Sequence, residues 1–135
     1  MYNLRKSKKG FTLIELMVVV AIIGVLALLG LRLYTGQQAK AKEAIVKANA
    51  GTVQTLIQSE MADGPVSLAE AQAVAVLAGL RNPFSGLAMT NATDFPAVAD
   101  ASGEIQIEEV ASGVWYAIQG YGATKLIPEI LTARR

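Results

Sequence analysis

The sequence predicts an α+β fold in which one long N-terminal helix packs against a small antiparallel β-sheet. Residues 11–62 contain no proline and stay compatible with a helix for about fifty residues. Two short segments near the C-terminus, residues 104–110 and 114–119, alternate apolar and polar side chains as half-buried strands do. Turn-forming residues separate these segments, so the helical and strand regions follow one another along the chain.

The first part of the predicted helix is long and apolar enough to span a bilayer. It follows a leader, residues 1–10, that carries Arg5, Lys6, Lys8 and Lys9 and no acid. Residues 11–31 then contain a single charge, and at about 1.5 Å per residue they make a helix of roughly 31 Å. Because Lys and Arg concentrate on the cytoplasmic side of a membrane segment, we expect the leader inside and the remainder outside.

Glu15 is the one charge in this apolar run. A carboxylate in a bilayer-length helix is costly, and such residues usually pair with another group. Glu15 lies four residues after Phe11 and therefore on the same face of the helix. We predict that Glu15 has a specific partner.

The second part of the helix is amphipathic and is predicted to pack against the globular body. Apolar residues at helical spacing cover one face, and Lys, Glu and Gln side chains occupy much of the remaining surface. The apolar stripe consists of Ala39, Val46, Val53, Ile57 and Met61, widened by Ile45 and Leu56. The helix should end near Ala62, because Asp63-Gly64-Pro65 is a strong termination signal.

Residues 64–135 are predicted to form the globular body, which begins with a short helix. Ser67 and Glu70 fit the capping-box pattern, in which each side chain satisfies a free backbone N–H of the other residue. Gly79 is placed to end this helix after about Ala78.

The two alternating segments are predicted to form a β-hairpin closed by residues 111–113. A third strand is expected at Lys125-Leu126-Ile127, and Pro128 would confine that strand to the edge of the sheet.

Composition argues against several classes of function. The 135 residues include no Cys and no His, so disulfides, thiolate metal sites and the commonest general base are missing. Four of the twelve Lys and Arg lie in the leader, which leaves 8 basic against 11 acidic residues and argues against a specific nucleic-acid surface. Acidic residues of the body lack the spacing of an EF-hand calcium loop; they include Asp94, Asp100, Glu104, Glu108 and Glu109. We predict no catalytic residue, no metal site and no cofactor, and we do not expect an enzyme.

The segment GFTLIELMVVVAIIGVLALLGL closely resembles the processing site and N-terminal helix of the type IV pilin and pseudopilin superfamily. The closest resemblance is to a cysteine-free major pilin with a class III prepilin signal. It implies a ladle-shaped fold, leader cleavage between Gly10 and Phe11, and N-methylation of Phe11. Because Glu15 lies on the same helical face as the new Phe11 amine, we predict that the two can pair within one helix in an isolated subunit. During assembly, Glu15 would instead form a salt bridge with the Phe11 amine of a neighbour and set the axial register. One position departs from the family: Arg32 stands where many members have a proline that loosens the helix in the filament.

The resemblance implies a structural subunit that polymerises with copies of itself into a surface pilus for adhesion, motility or DNA uptake. Its partners would be a prepilin peptidase and N-methyltransferase, an assembly platform with ATPases, and the cytoplasmic membrane before assembly. Two alternatives stay open. A pseudopilin of a type II secretion or competence system would use the same N-terminal chemistry, and a membrane-anchored extracellular binding module would not polymerise.

Overall fold

The structure is a computed structural model that describes residues 10–97, 99, 101–123, 125–128 and 130–135. Leader residues 1–9 and Asp100, two subjects of the sequence predictions, lie outside the described residues. The elements are helix α1 (Leu13–Asp63), helix α2 (Leu68–Leu77), a 3-10 turn (Ala92–Asp94), and strands β1 (Ile105–Ala111), β2 (Trp115–Gly120) and β3 (Leu131–Arg134). The strands form one antiparallel sheet in the order β1-β2-β3. The predicted α+β fold class is therefore confirmed.

The chain divides into two compact units, residues 1–37 and residues 38–135. The described part of the first unit consists of Gly10, Phe11, Thr12 and the beginning of α1, and all of its described residues are exposed. Within the described residues, α1 is the one helix long and apolar enough to cross a membrane.

The second unit has a core between the C-terminal half of α1 and the inner face of the sheet. The residues that α1 buries follow helical spacing and form one stripe: Val46, Ala50, Val53, Ile57 and Met61. The sheet contributes Ile105, Ile107, Tyr116, Ile118 and Ala133, and α2 contributes Ala71 and Ala75. The predicted stripe on α1 is confirmed at four positions, whereas Ala39 is exposed and Ala50 takes part instead.

The capping box at the start of α2 is present as predicted. The backbone N–H and the hydroxyl of Ser67 both donate to Glu70 Oε2 at 2.8 Å, and the Glu70 N–H donates to Ser67 Oγ at 3.4 Å. The backbone hydrogen bond, assisted by the hydroxyl, holds the pKa of Glu70 below its usual value. Gly79 follows the helix with a φ of 64°, a conformation in which glycine avoids the penalty of a Cβ.

The predicted hairpin is also present, with Ala111 paired to Trp115 across a turn that contains Gly113 at a φ of 67°. The Gly113 N–H donates to Glu109 Oε1 at 2.7 Å, and the Tyr116 hydroxyl donates to the Val66 carbonyl. One side-chain hydrogen bond therefore stabilises the turn of the hairpin, and the other joins β2 to the segment before α2.

The prediction for the third strand was wrong. Residues 125–127 follow a tight turn and fold back along the end of β2: Lys125 O accepts from the Gly122 N–H at 2.8 Å, and Leu126 makes an isolated bridge with Tyr121. The third strand is β3, which begins after Pro128 and pairs with β2 from Leu131 onwards. Pro128 lacks the N–H that a continuing strand would need, so pairing resumes only beyond it.

Candidate functional site

The peptide bond between Gly10 and Phe11 lies before the first residue of α1 and is open to solvent. Gly10, Phe11 and Thr12 precede the helix, and the Phe11 side chain is 89% exposed. A Cβ added at Gly10 would meet no atom within 4 Å. The predicted processing residues thus lie in a non-helical segment next to a helix start.

Helix α1 begins with a second capping box, formed by Thr12 and Glu15. The Thr12 backbone N–H donates to Glu15 Oε2 at 2.9 Å, and the Thr12 hydroxyl donates to the same oxygen at 2.8 Å. In return, the Glu15 N–H donates to Thr12 Oγ1 at 3.3 Å. These bonds satisfy backbone N–H groups that the first turn of a helix otherwise leaves without partners.

This box was not predicted from the sequence, although the chain carries its signal. Thr12-Leu13-Ile14-Glu15 has the same spacing as Ser67-Leu68-Ala69-Glu70, which was identified as a box. The partner that Glu15 requires is therefore supplied, within the single chain, by Thr12. The proposed partnership of Glu15 with the Phe11 amine stays a prediction, since that amine exists only after cleavage.

The Glu15 carboxylate retains acceptor capacity. Both hydrogen bonds from Thr12 end on Oε2, and Oε1 accepts none from the described residues. An ionised carboxylate has about four lone-pair sites, so Oε1 can bind a further donor without displacing Thr12. The negative charge also lies in the first turn of α1, where the helix dipole favours an anion.

The surface that surrounds Glu15 is apolar. A shallow groove beside the carboxylate is lined by Phe11, Ile14, Val18 and Val19. Beyond it, the large apolar side chains of the segment are exposed on every side of the helix, including Leu13, Leu16, Ile22, Leu28 and Leu31. An exposed apolar surface of this extent marks a site of contact with protein or membrane.

Two acidic residues of the body accept hydrogen bonds in local turns. Asp94 accepts from the Asn91 N–H at 3.0 Å and Glu104 from the Ala101 N–H at 3.1 Å. Among the residues that the structure describes, no group of three or more Asp or Glu could hold a metal ion.

Comparison with known proteins identifies one family model, which matches the N-terminus, and several fimbrial relatives. Residues 5–31 match the family model described as "Prokaryotic N-terminal methylation motif". Fimbrial protein EcpB of Eikenella corrodens is 47% identical over 60 residues, or 44% of this chain and 38% of that protein. A Type IV major fimbrial protein FimA of Dichelobacter nodosus is 41% identical over 61 residues, or 45% of this chain and 39% of that protein. The chain thus matches well under half the length of these two relatives.

A longer alignment extends the similarity into the body. Fimbrial protein EcpC of Eikenella corrodens is 30% identical over 117 residues, which is 87% of this chain and 72% of that protein. No solved structure matches the chain. Because the similarity joins the methylation motif to most of a fimbrial protein, this chain belongs to the type IV pilin family.

Proposed function

We propose that this chain is a structural subunit of a type IV pilus and not an enzyme. The observation that carries the proposal is the apolar N-terminal part of α1, exposed on all sides, with Glu15 as its one charge between Phe11 and Leu31. Lipid covers such a surface in the membrane, and neighbouring helices cover it in a filament core. The fimbrial names of its relatives support the same role.

Processing is proposed to cut the bond between Gly10 and Phe11 and to methylate the new Phe11 amine. A prepilin peptidase with N-methyltransferase activity would perform both steps at the cytoplasmic face. Support comes from the exposure of Gly10 and Phe11 before the helix start and from the methylation-motif match across residues 5–31.

Glu15 is proposed to bind the Phe11 amine of a neighbouring subunit during assembly. The arrangement of its oxygens supports this role, because Thr12 engages Oε2 and leaves Oε1 for a cation. In the apolar groove beside it, an ion pair would be screened less by water than at an ordinary surface. The pair would then fix the axial position of each added subunit.

The proposed topology places the leader, residues 1–10, in the cytoplasm and residues 64–135 outside the membrane. Residues 11–63 contain the long helix α1, and residues 11–31 are proposed to span the membrane before assembly and to form the filament core afterwards. An assembly platform and ATPases, which this chain does not encode, would extract the subunit into an extracellular pilus.

Shearing native cells tests this proposal directly. We expect the released filaments to contain this chain in abundance, beginning at methylated Phe11 when examined by mass spectrometry. Processed chain retained in the envelope would favour a pseudopilin, and uncleaved chain there would favour an anchored binding module.

A matched pair of glycine variants sharpens the test of processing. A Cβ has free space both at Gly10 and at Gly24, so the first side-chain atom of G10V or G24V meets no atom within 4 Å. We expect G10V to block cleavage because it fills the position next to the scissile bond, and G24V to be cleaved normally. Equal cleavage of the two variants would contradict the assigned site.

A further inference from the structure

The outer edge of β3 is bonded to side chains of α1. β3 is the last strand of the sheet order, and the backbone of an edge strand carries N–H and C=O groups that can recruit another strand. Gln54 Nε2 donates to the Thr132 carbonyl at 2.8 Å. Gln58 Oε1 accepts from the Arg134 N–H at 3.1 Å, and Gln58 Nε2 donates to the Arg134 carbonyl.

The Gln58 carboxamide makes the contact that a neighbouring strand would make. A peptide group offers one acceptor and one donor to an antiparallel partner, and in antiparallel sheets two residues exchange both bonds. Gln58 offers the same pair of atoms to Arg134. Gln54 extends the contact to the preceding outward-facing residue of the strand, Thr132.

The spacing of helix and strand explains why two glutamines suffice. Gln54 and Gln58 are four residues apart on α1 and therefore about 6.0 Å apart along its axis. Thr132 and Arg134 are two residues apart on β3 and therefore about 6.7 Å apart. The four-residue spacing on the helix thus matches the two-residue repeat of the strand to within about 1 Å.

We propose that Gln54 and Gln58 substitute for a fourth strand and close the edge of β3 to an extended segment of a second copy of this chain. Both contacts are solvent-exposed, so a competing strand could replace them without unpacking the core. The neighbouring side chain of Thr55 bonds instead to the Gly51 carbonyl of its own helix, which leaves the closing role to the two glutamines. β3 of the second copy is the competing segment, since an antiparallel pair of β3 strands would be symmetric and self-complementary.

The test compares the double variant Q54A/Q58A with Q37A/Q38A, using the full chain in detergent micelles. The control makes the same chemical change at exposed residues of the same helix. Hydrogen exchange of the Arg134 amide, measured by NMR, reports the edge contact, and sedimentation equilibrium reports self-association. We expect Q54A/Q58A to exchange the Arg134 amide roughly two- to tenfold faster than wild type and to self-associate as concentration rises. The control should behave as wild type in both measurements.

Three results would overturn the proposal. Unchanged exchange at Arg134 would show that the glutamines do not protect the edge. Faster exchange without association would remove the blocking role, and association without faster exchange would locate the contact on another surface. If circular dichroism shows that the double variant does not fold, the single variant Q58A is subjected to the same measurements and the same criteria.

Discussion

Substitution of Gly120 by alanine tests how closely α1 approaches the sheet. Gly120 is the last residue of β2 and is buried against the helix. A Cβ built at this position would lie 2.4 Å from Val46 Cγ1 and 3.3 Å from Ile127 Cδ1. Because carbon atoms in contact are ordinarily about 3.5–4.0 Å apart, roughly 1 Å of overlap with Val46 must be relieved by movement.

The size of the effect follows from this overlap. Overpacking of a dense core costs about 1–3 kcal/mol, and we expect G120A to lose unfolding free energy in that range. V46A removes two methyl groups from a fully buried side chain, which costs about 1.6 kcal/mol at about 0.8 kcal/mol per group, before any cavity term. In G120A/V46A the added methyl group occupies the vacated space, so the double variant should lose less than the sum by about 1 kcal/mol or more.

Urea unfolding of the full chain in micelles provides the measurement, followed by the fluorescence of Trp115, the single tryptophan of the chain. G51A is the matched control, because a Cβ at Gly51 meets no atom within 4 Å. That change should stabilise α1 by up to about 1 kcal/mol through helix propensity alone. Strictly additive losses from G120A and V46A, or a neutral G120A, would refute the close approach.

Three further outcomes are expected. E15Q keeps an acceptor for Thr12 but removes the charge, so the chain should be inserted and cleaved yet yield no sheared filaments; wild-type filament yield would contradict the assembly role of Glu15. Burial raises the pKa of Tyr116 above its ordinary value of 10.0, with Glu109 and Glu70 adding to the effect. The part of the unfolding free energy that depends on neutral Tyr116 is therefore complete below about pH 10 and is lost as pH rises through the raised pKa of the folded state. Y116F removes this titration and should reduce the fall in unfolding free energy between about pH 9 and about pH 11. S67A should lower the unfolding free energy by about 1 kcal/mol through loss of the α2 cap, whereas S59A on the exposed face of α1 should stay within about 0.5 kcal/mol.

The elements that were predicted correctly depend on neighbouring residues. The start of helix α2 is predicted by Ser67 and Glu70, which lie three positions apart, and its end by Gly79. Each of these signals acts within one helical turn. The hairpin is similarly local, since Gly113 supplies the positive φ that its turn requires. Periodicity likewise identified most of the buried stripe on α1.

The elements that were missed depend on residues far apart in the chain. β3 has only four residues, and its pairing with β2 and its contacts with Gln54 and Gln58 decide where it begins and ends. Local sequence favoured residues 125–127, which are more apolar than β3. Backbone hydrogen bonds to Gly120 and Gly122, which periodicity does not reveal, fold these residues back on β2 instead. At the candidate site, by contrast, the Thr12–Glu15 box was local and could have been identified.

The start of α1 is determined by residues that all lie beyond Gly10. Thr12 and Glu15 cap the first turn with hydrogen bonds to each other, and none of these bonds involves the leader. Removal of the leader would therefore leave these three bonds in place. It would take away the cations of Arg5, Lys6, Lys8 and Lys9 and would turn the neutral peptide nitrogen of Phe11 into a cation. The precursor and the mature subunit would share this capping box and differ in the charge that precedes it, so proteolysis would act on this protein as a charge switch that leaves the cap of α1 in place.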